Sequence, residues 1–566
     1  VRFFVACLVV VFAACGPVAV EGDGGAGGPG GGSATAGGIA GTAGGVSGGG
    51  VGGGSGGGAA GGAAGGGTAG GAAGGGAADG GSDAGRPDAG SSDAGEGDGG
   101  FIVTDSGVVL ATVSHPRELR GVWVATVSNL DIPSGLSPDA GIAAMRALVE
   151  RTRDAGLNAI FFQVRPESDA WYQSTLEPWS RYLTGTQGQN PGWDPLDALL
   201  SAAHARGVEV HAWVNPYRGL VTAGSQTAMT HVTRTLSSAA ITYDGRVTMN
   251  PGVPAVRQHV VNVIRDLLDQ YDVDGLHFDD YFYPYPAANP YPDDATYQAY
   301  RADGGTMTKS NWRRDNVNAL VREVMAVVTA DHPQVRFGIS PFGIWRPNNP
   351  PGVTGLDAYE EISCDAVTWM NQGWVDYLAP QLYWATTSSG QPFVPLLTWW
   401  ANGTMGGRHV FPGHAVYRLG MTGFTSVNEI RLQVNAGRML RSQGVMGGLH
   451  FREQNVRTNL LGVRDLFRDE LYATPALPPP LPRAGASATP LPPVVTRNGA
   501  TLSVSHALPM TARFYALYRF DPTGWTLVDV AGGVQASFGP LSMGTWAVSA
   551  VNRGGAESRG VVTVIP

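Results

Sequence analysis

The segment His277-Phe278-Asp279-Asp280-Tyr281 places two carboxylates side by side, and the residues that follow, Phe282, Tyr283 and Tyr285, are aromatic rather than cationic. A carboxylate in such surroundings is costly to desolvate unless it is paired or used. Hydrolysis of a glycosidic bond uses two carboxyl groups: one protonates the leaving oxygen, and the other acts as nucleophile or as base for water. A second acidic stretch, Glu167-Ser168-Asp169, follows Gln163-Val164-Arg165-Pro166 and runs into Trp171-Tyr172. Asp169 is the first choice to complement Asp279, with Asp280 and Glu453 as further candidates. The plainer alternatives are that Asp280 caps the turn after its strand and that Glu453 is a surface carboxylate paired with an arginine.

These acids sit in a recurring unit, an amphipathic helix closed by glycine and followed by an apolar strand. Ser137-Pro138 opens a helix with Ile142, Met145, Val149 and Thr152 on one face; Gly156 stops it and Asn158 to Arg165 reads as a strand. Asp194-Pro195, Gly207 and the run from Val208 to Asn215 repeat the pattern. Pro254 opens the helix that leads to Asp279, and Ser426 with Glu429 offers a capping box before the last copy. Eight strands in all predict a (β/α)8 TIM barrel over residues 110–474, with an open doubly wound sheet as the alternative.

In such a barrel the strand ends carry the working residues. Alternation turns Gly275, His277 and Asp279 toward the axis, and likewise Gln163 and Arg165. In the last strand it turns His450 and Arg452 inward and Glu453 outward unless a loop reverses it. The other strand ends supply Trp213, Asn215, Tyr217, Arg218, Trp345, Gln381, Tyr383 and Trp384, which join Arg165, His277 and Tyr281 as candidate substrate contacts. Aromatic faces suit the apolar face of a pyranose, and amides and guanidinium groups suit its hydroxyls. Some of these residues are expected to be barrel packing instead.

Several chemistries are disfavoured. Lys309 is the only lysine and lies in a polar stretch, away from any strand end where a Schiff base would form. Histidines occur at 211, 277, 414 and 450, but the first strand has Val122-Trp123-Val124 where a His-x-His metal pair would sit, so no metal is expected. No glycine-rich phosphate turn follows the first strand, and no cofactor is expected. The net charge of −9 comes without a basic run, which argues against nucleic acid.

Outside the barrel, Arg2 and an apolar run from Phe3 to Ala14 read as a signal peptide over 1–14. Phe12-Ala13-Ala14-Cys15 resembles a lipobox, which would place a lipid anchor on Cys15 and the protein at the cell envelope; a plain secretory signal is the alternative. Residues 15–109 read as a disordered Gly/Ala-rich tether, and 475–493 as an extended proline-rich spacer. The alternating runs of 494–566 predict a small all-β sandwich of fibronectin type III or Ig-like form. Cys364 has no partner for a disulfide in the mature fold.

Five motifs in order resemble one family. They are Glu118-Leu119-Arg120-Gly121-Val122-Trp123, Gln163-Val164-Arg165-Pro166 with Asp169-Ala170, Tyr182 through Gly188, His211 through Arg218, and Asp274 through Phe282. Together they resemble the glycosyl hydrolase-like 10 family of bacterial exported proteins and lipoproteins, over 118–472. The resemblance implies a glycosidase, with members linked to cleaving peptidoglycan strands stripped of their peptides, and it implies Asp279 as nucleophile or base. A tethered adaptor that binds glycan without cleaving it is the second functional class.

Overall fold

The computed structural model describes residues 100–403, 406–483, 488–508 and 511–566; the signal segment, Cys15 and the tether up to residue 99 lie outside them. Leu119–Val124, Ala159–Arg165, Glu209–Val214, Gly275–Phe278, Arg336–Ile339 and Tyr377–Leu378 pair in parallel, each with the next, and Gly447–His450 pairs back onto the first. Between the last two, the run from His409 to His414 is broken at Phe411-Pro412. Its first half pairs with Tyr377–Leu378 and its second with Gly447–His450. Proline has no N–H for a ladder, which accounts for the break. The nine strand segments form a curled, TIM-barrel-like sheet whose two edges are halves of one run.

Helices form where the caps were expected. The Ser137 hydroxyl accepts from the Ala140 N–H at the head of Pro138–Asp154, and Asp194 accepts from Leu196 and Asp197 at the head of Pro195–Ala205. The capping box at 426–429 does not form: Glu429 instead accepts from Thr386 and Gln433. Along each strand one face packs on the helices, as Ile160, Phe162 and Val164 do. The other face fills the interior with Leu119, Trp123, Phe161, Trp213, Tyr377, Phe411 and Leu449. The eighth strand corrects the parity expected for it. Its Gly447 and Leu449 pair with inward-facing Leu119 and Gly121, so His450 faces the helix layer, stacked near Phe467 and bonded to Tyr472.

The C-terminal region is all β. A six-stranded sheet faces a three-stranded sheet across a core of Leu502, Val504, Tyr515, Leu517, Phe538, Trp546 and Val548. Two of the six strands come from the opening of the described chain, Phe101–Val103 within the stretch expected to be tether and Val109–Ala111 across the expected start of the barrel at 110, because Phe101-Ile102-Val103 and Val109-Leu110 supply apolar residues that pair beside Gly560–Ile565. The proline-rich segment is likewise no free spacer. Leu477 is buried in a second core with Phe514, Tyr518 and Val530, and the carbonyls of Ala476, Leu477 and Pro479 accept from Asn158, Glu118 and Arg336. The β region therefore rests on the end of the barrel where the strands begin. There Gly207, at φ +67°, approaches Val530 so closely that a side chain at 207 would clash.

Candidate active site

At the opposite end, where the strands finish, a line of side-chain amides leads to Asp279. The backbone N–H groups of Thr126 and Val127 donate to Gln163 Oε1 at 3.0 and 2.9 Å. These donors fix the amide orientation, so Gln163 Nε2 must donate onward to Asn215 Oδ1, at 2.7 Å. Asn215 Nδ2 then donates to Asp279 Oδ2 at 2.8 Å, and the backbone N–H of Asp280 donates to Asp279 Oδ1 at 2.7 Å. Two neutral donors thus orient the Asp279 carboxylate without a cation.

Asp280 is built differently. The Tyr285 hydroxyl donates to its Oδ2, and the Gln381 side chain lies within hydrogen-bonding reach. Burial and then the neighbouring Asp279 charge push its carboxyl well above the usual range. Burial and the Asp279 charge thus favour the protonated form of Asp280 beside an oriented Asp279. Above it stand half-buried rings in succession: Tyr281 to Tyr285 at 5.8 Å, Tyr285 to Phe342 at 6.2 Å, and Phe342 to Trp384 at 5.7 Å. The Arg218 guanidinium lies 4.2 Å over the Tyr281 ring. Below the pair, Trp123 Nε1 donates to His277 Nε2, and His277 Nδ1 meets the Tyr377 hydroxyl at 2.9 Å. Burial holds this imidazole neutral, well below its usual pKa.

A site of this kind, an acid pair at the strand ends beneath aromatic rings, invites comparison with known glycosidases. Residues 118–428 match the sequence profile of the family Glycosyl hydrolase-like 10. Glycosyl hydrolase YngK of Bacillus subtilis strain 168 is 35% identical over 446 residues, which is 75% of this chain and 86% of that protein. The chain belongs to the glycosyl hydrolase-like 10 family. Glycosyl hydrolase DigH of Escherichia coli K12 is 36% identical over 334 residues, 55% of this chain and 75% of that protein. Among solved structures, the glycoside hydrolase domain of PgaB from Bordetella bronchiseptica overlaps 62% of this chain and 98% of its own at 15% identity and a TM-score of 0.39, too loose a likeness to build on.

Within this family member the expected site residues separate into groups. Asp279, Asp280, Asn215, Arg218, Tyr281, Gln381 and Trp384 gather at or around the acid pair. Trp213 faces the interior with its indole N–H buried and without a hydrogen-bond partner among the described residues. Tyr383 stacks on Phe451 at 5.9 Å and meets Tyr417 edge-on. His277 supports the site from beneath, fully buried, rather than facing a ligand.

Others stand apart from the acid pair. The Arg165 guanidinium grips Glu177 through two bonds of 2.7 and 2.5 Å and donates to the Asn215 and Pro216 carbonyls, which leaves it structural. Tyr217 is fully buried among the helix-facing hydrophobics, and Trp345 stacks on Trp399 of the helix Phe393–Asn402. Asp169 is held in its own loop by the Gln187 amide and the Glu167 N–H. Burial raises its pKa and that of Glu167, which pairs with Arg181 at 2.6 Å. Glu453 pairs with Arg151 of the outer helix at 3.0 Å and with Arg457, the arginine partners of the plainer reading, but it is buried rather than on the surface. Among the described residues no group of three or more His, Cys, Asp or Glu is placed to hold a metal ion.

Sequence reasoning passed over Gln163, Tyr285 and Phe342. Gln163 had a legible signal, since strand parity turned it inward one pair before Arg165. Tyr285 and Phe342 lie past their strand ends in loops, where no periodicity indicates direction.

Proposed function

We propose that this chain is a glycoside hydrolase of a bacterial wall polysaccharide, peptidoglycan glycan strands in the first place, working on a (β/α)8 barrel through Asp279 and Asp280. The observation that carries this reading is the neutral amide line ending on Asp279 beside Asp280, whose carboxyl burial and the Asp279 charge push upward. Such an arrangement keeps one carboxyl ready to give a proton to a leaving oxygen and the other ready to stabilise positive charge at the sugar carbon. The ring succession from Tyr281 to Trp384 suits stacking on pyranoses, and Arg218 suits their hydroxyls or carboxylates. Peptide-free strands are the substrate that the family resemblance suggests. In the same proposal Cys15 carries a lipid anchor at the cell envelope, and the C-terminal region is a fibronectin type III-like sandwich that supports the barrel.

The test is product release from purified peptidoglycan, with and without prior amidase treatment, comparing the chain with its Asp279→Asn variant. Sugar fragments from the parent alone, chiefly from amidase-treated wall, are expected. Binding by both proteins with fragments from neither would establish the adaptor instead.

A further inference from the structure

The carboxylates at the working end of the barrel have unequal standing. Asp131, after the first strand, accepts from the Ala125 N–H and pairs with Arg452 at 2.8 Å. Glu167 and Asp169, after the second, are committed to Arg181 and Gln187. Glu453, after the eighth, pairs with Arg151 in the helix layer. Asp279 and Asp280 lack a cationic partner among the ion pairs of the described residues, and they are consecutive. The 2.7 Å bond from the Asp280 N–H to Asp279 Oδ1 fixes the Asp279 carboxylate at this one strand end. Schemes that use only enzyme carboxyls set them on opposite faces of the sugar, about 5–5.5 Å apart for a covalent intermediate or 6.5–9.5 Å for direct attack by water. The Asp280 carboxyl hydrogen-bonds the Asp279 side chain, a contact shorter than either separation.

A nucleophile from the substrate resolves this. We propose that the site acts only on sugars bearing a 2-acetamido group, whose carbonyl oxygen is the nucleophile, with Asp279 accepting the acetamido N–H and Asp280 serving as acid and then base. This rests on the glycosidase reading above and narrows it. Asp279 suits the role because its oxygens hold only neutral donors, Asn215 Nδ2, the Asp280 N–H and the Asp280 carboxyl, and a carboxylate with about four lone-pair sites keeps capacity for a further N–H. In the first step the acetamido oxygen bonds to C1, the bond from C1 to the leaving oxygen breaks, and the Asp280 proton passes to that oxygen. The product is a bicyclic oxazolinium ion whose N–H faces the Asp279 carboxylate. In the second step water adds to C1 and gives its proton to Asp280 as the ring C1–O bond breaks. The acetamido group is restored and configuration at C1 is retained. Only water is consumed.

The experiment uses the full chain on peptide-free glycan strands and on the same strands with acetyl replaced by trifluoroacetyl, together with binding of a bicyclic thiazoline analogue of the intermediate. Fluorination weakens the carbonyl nucleophile, so a rate fall of about 10-fold or more is expected, since the barrier of the first step rises with it. The thiazoline should bind the parent, and Asp279→Asn should weaken it by about 100-fold through loss of the charged hydrogen bond to its nitrogen. Equal cleavage of both strands with no thiazoline binding would overturn the proposal while leaving a glycosidase. No cleavage and no binding would overturn both readings.

Discussion

Asp274 and Asp279 stand at the two ends of one strand, equally buried, and the protein treats them in opposite ways. At the starting end, Arg513 meets Asp274 at 3.0 Å and His204 at 2.9 Å, and Arg553 reaches neighbouring Asp272. Burial alone would raise the Asp274 carboxyl, but the Arg513 guanidinium and His204 outweigh it and hold the group well below the usual range. At the finishing end, Asp279 receives two amides and the Asp280 carboxyl, and Asp280 a hydroxyl and an amide, with no cation on either. Cations pin a carboxylate and spend its charge; neutral donors orient it and leave the charge for a substrate. The β region supplies Arg513 and Arg553, so the domain expected to hang on a spacer is what secures the end of the curled sheet where its strands begin.

This contrast predicts separable losses. Asp279→Asn should lower turnover on glycan strands by about 10³-fold or more while thermal melting stays unchanged or rises, because an uncompensated buried charge is removed. Arg513→Ala should do the reverse. Taking one partner from a buried pair costs about 3–5 kcal/mol, read as a lower urea midpoint, with turnover per folded molecule preserved. Similar melting losses from both variants would erase the distinction between the two ends.

The pH dependence sharpens the same comparison. Burial would raise Glu177, but Arg165 and His259 outweigh it and hold it at about 2, against an ordinary 4.5. A lowered acid contributes stability that is present above its unfolded pKa and lost as pH falls through its folded one. For Glu177 that amounts to about 3 kcal/mol, lost between pH 4.5 and 2 and absent in Glu177→Gln. Asp131 runs the other way: burial raises it to about 6, so its share of stability grows as pH falls toward 4 and is missing in Asp131→Asn. Urea midpoints measured from pH 2 to 8 should show both limbs. Turnover should fall on the alkaline side as raised Asp280 gives up its proton, a limb that Asp280→Asn cannot show.

Much of this was legible in the residues, for physical reasons. Strand parity and proximity to glycine or proline located the eight strand runs and turned Asp279 toward the axis, since alternation is enforced wherever two faces pack on different surroundings, but the sequence paired Asp279 first with Asp169 rather than with Asp280. Parity failed in the eighth strand because Gly447-Gly448 carries no side chain to set the phase, and only pairing with Leu119 and Gly121 decides it. Arg165 and Asp169 read as site residues because their types suit a sugar. What they do depends on Glu177 and Gln187, 12 and 18 residues on, and partners across loops leave no periodic trace. The proline-rich strap misled similarly: its composition favours a free spacer, but its carbonyls find donors at Asn158, Glu118 and Arg336 that composition cannot reveal.

The smallest effect tests whether burial, rather than the mere number of ion pairs, makes the starting end firm. Glu150 and Arg206 form a 3.0 Å pair between the outer helices, with side chains 52% and 46% exposed. Water screens such a pair and both side chains lose freedom in forming it, so Glu150→Gln should move stability by no more than about 0.5 kcal/mol. Arg513, 9% exposed, meets Asp274 at 3%. Raising salt to about 1 M, where the screening length falls to about 3 Å, should shrink the Glu150→Gln effect and leave the Arg513→Ala loss largely intact. Equal losses from the two variants at low salt would mean that the starting end is held by its surface charges in aggregate, and the contrast between Asp274 and Asp279 would then concern charge number more than desolvation.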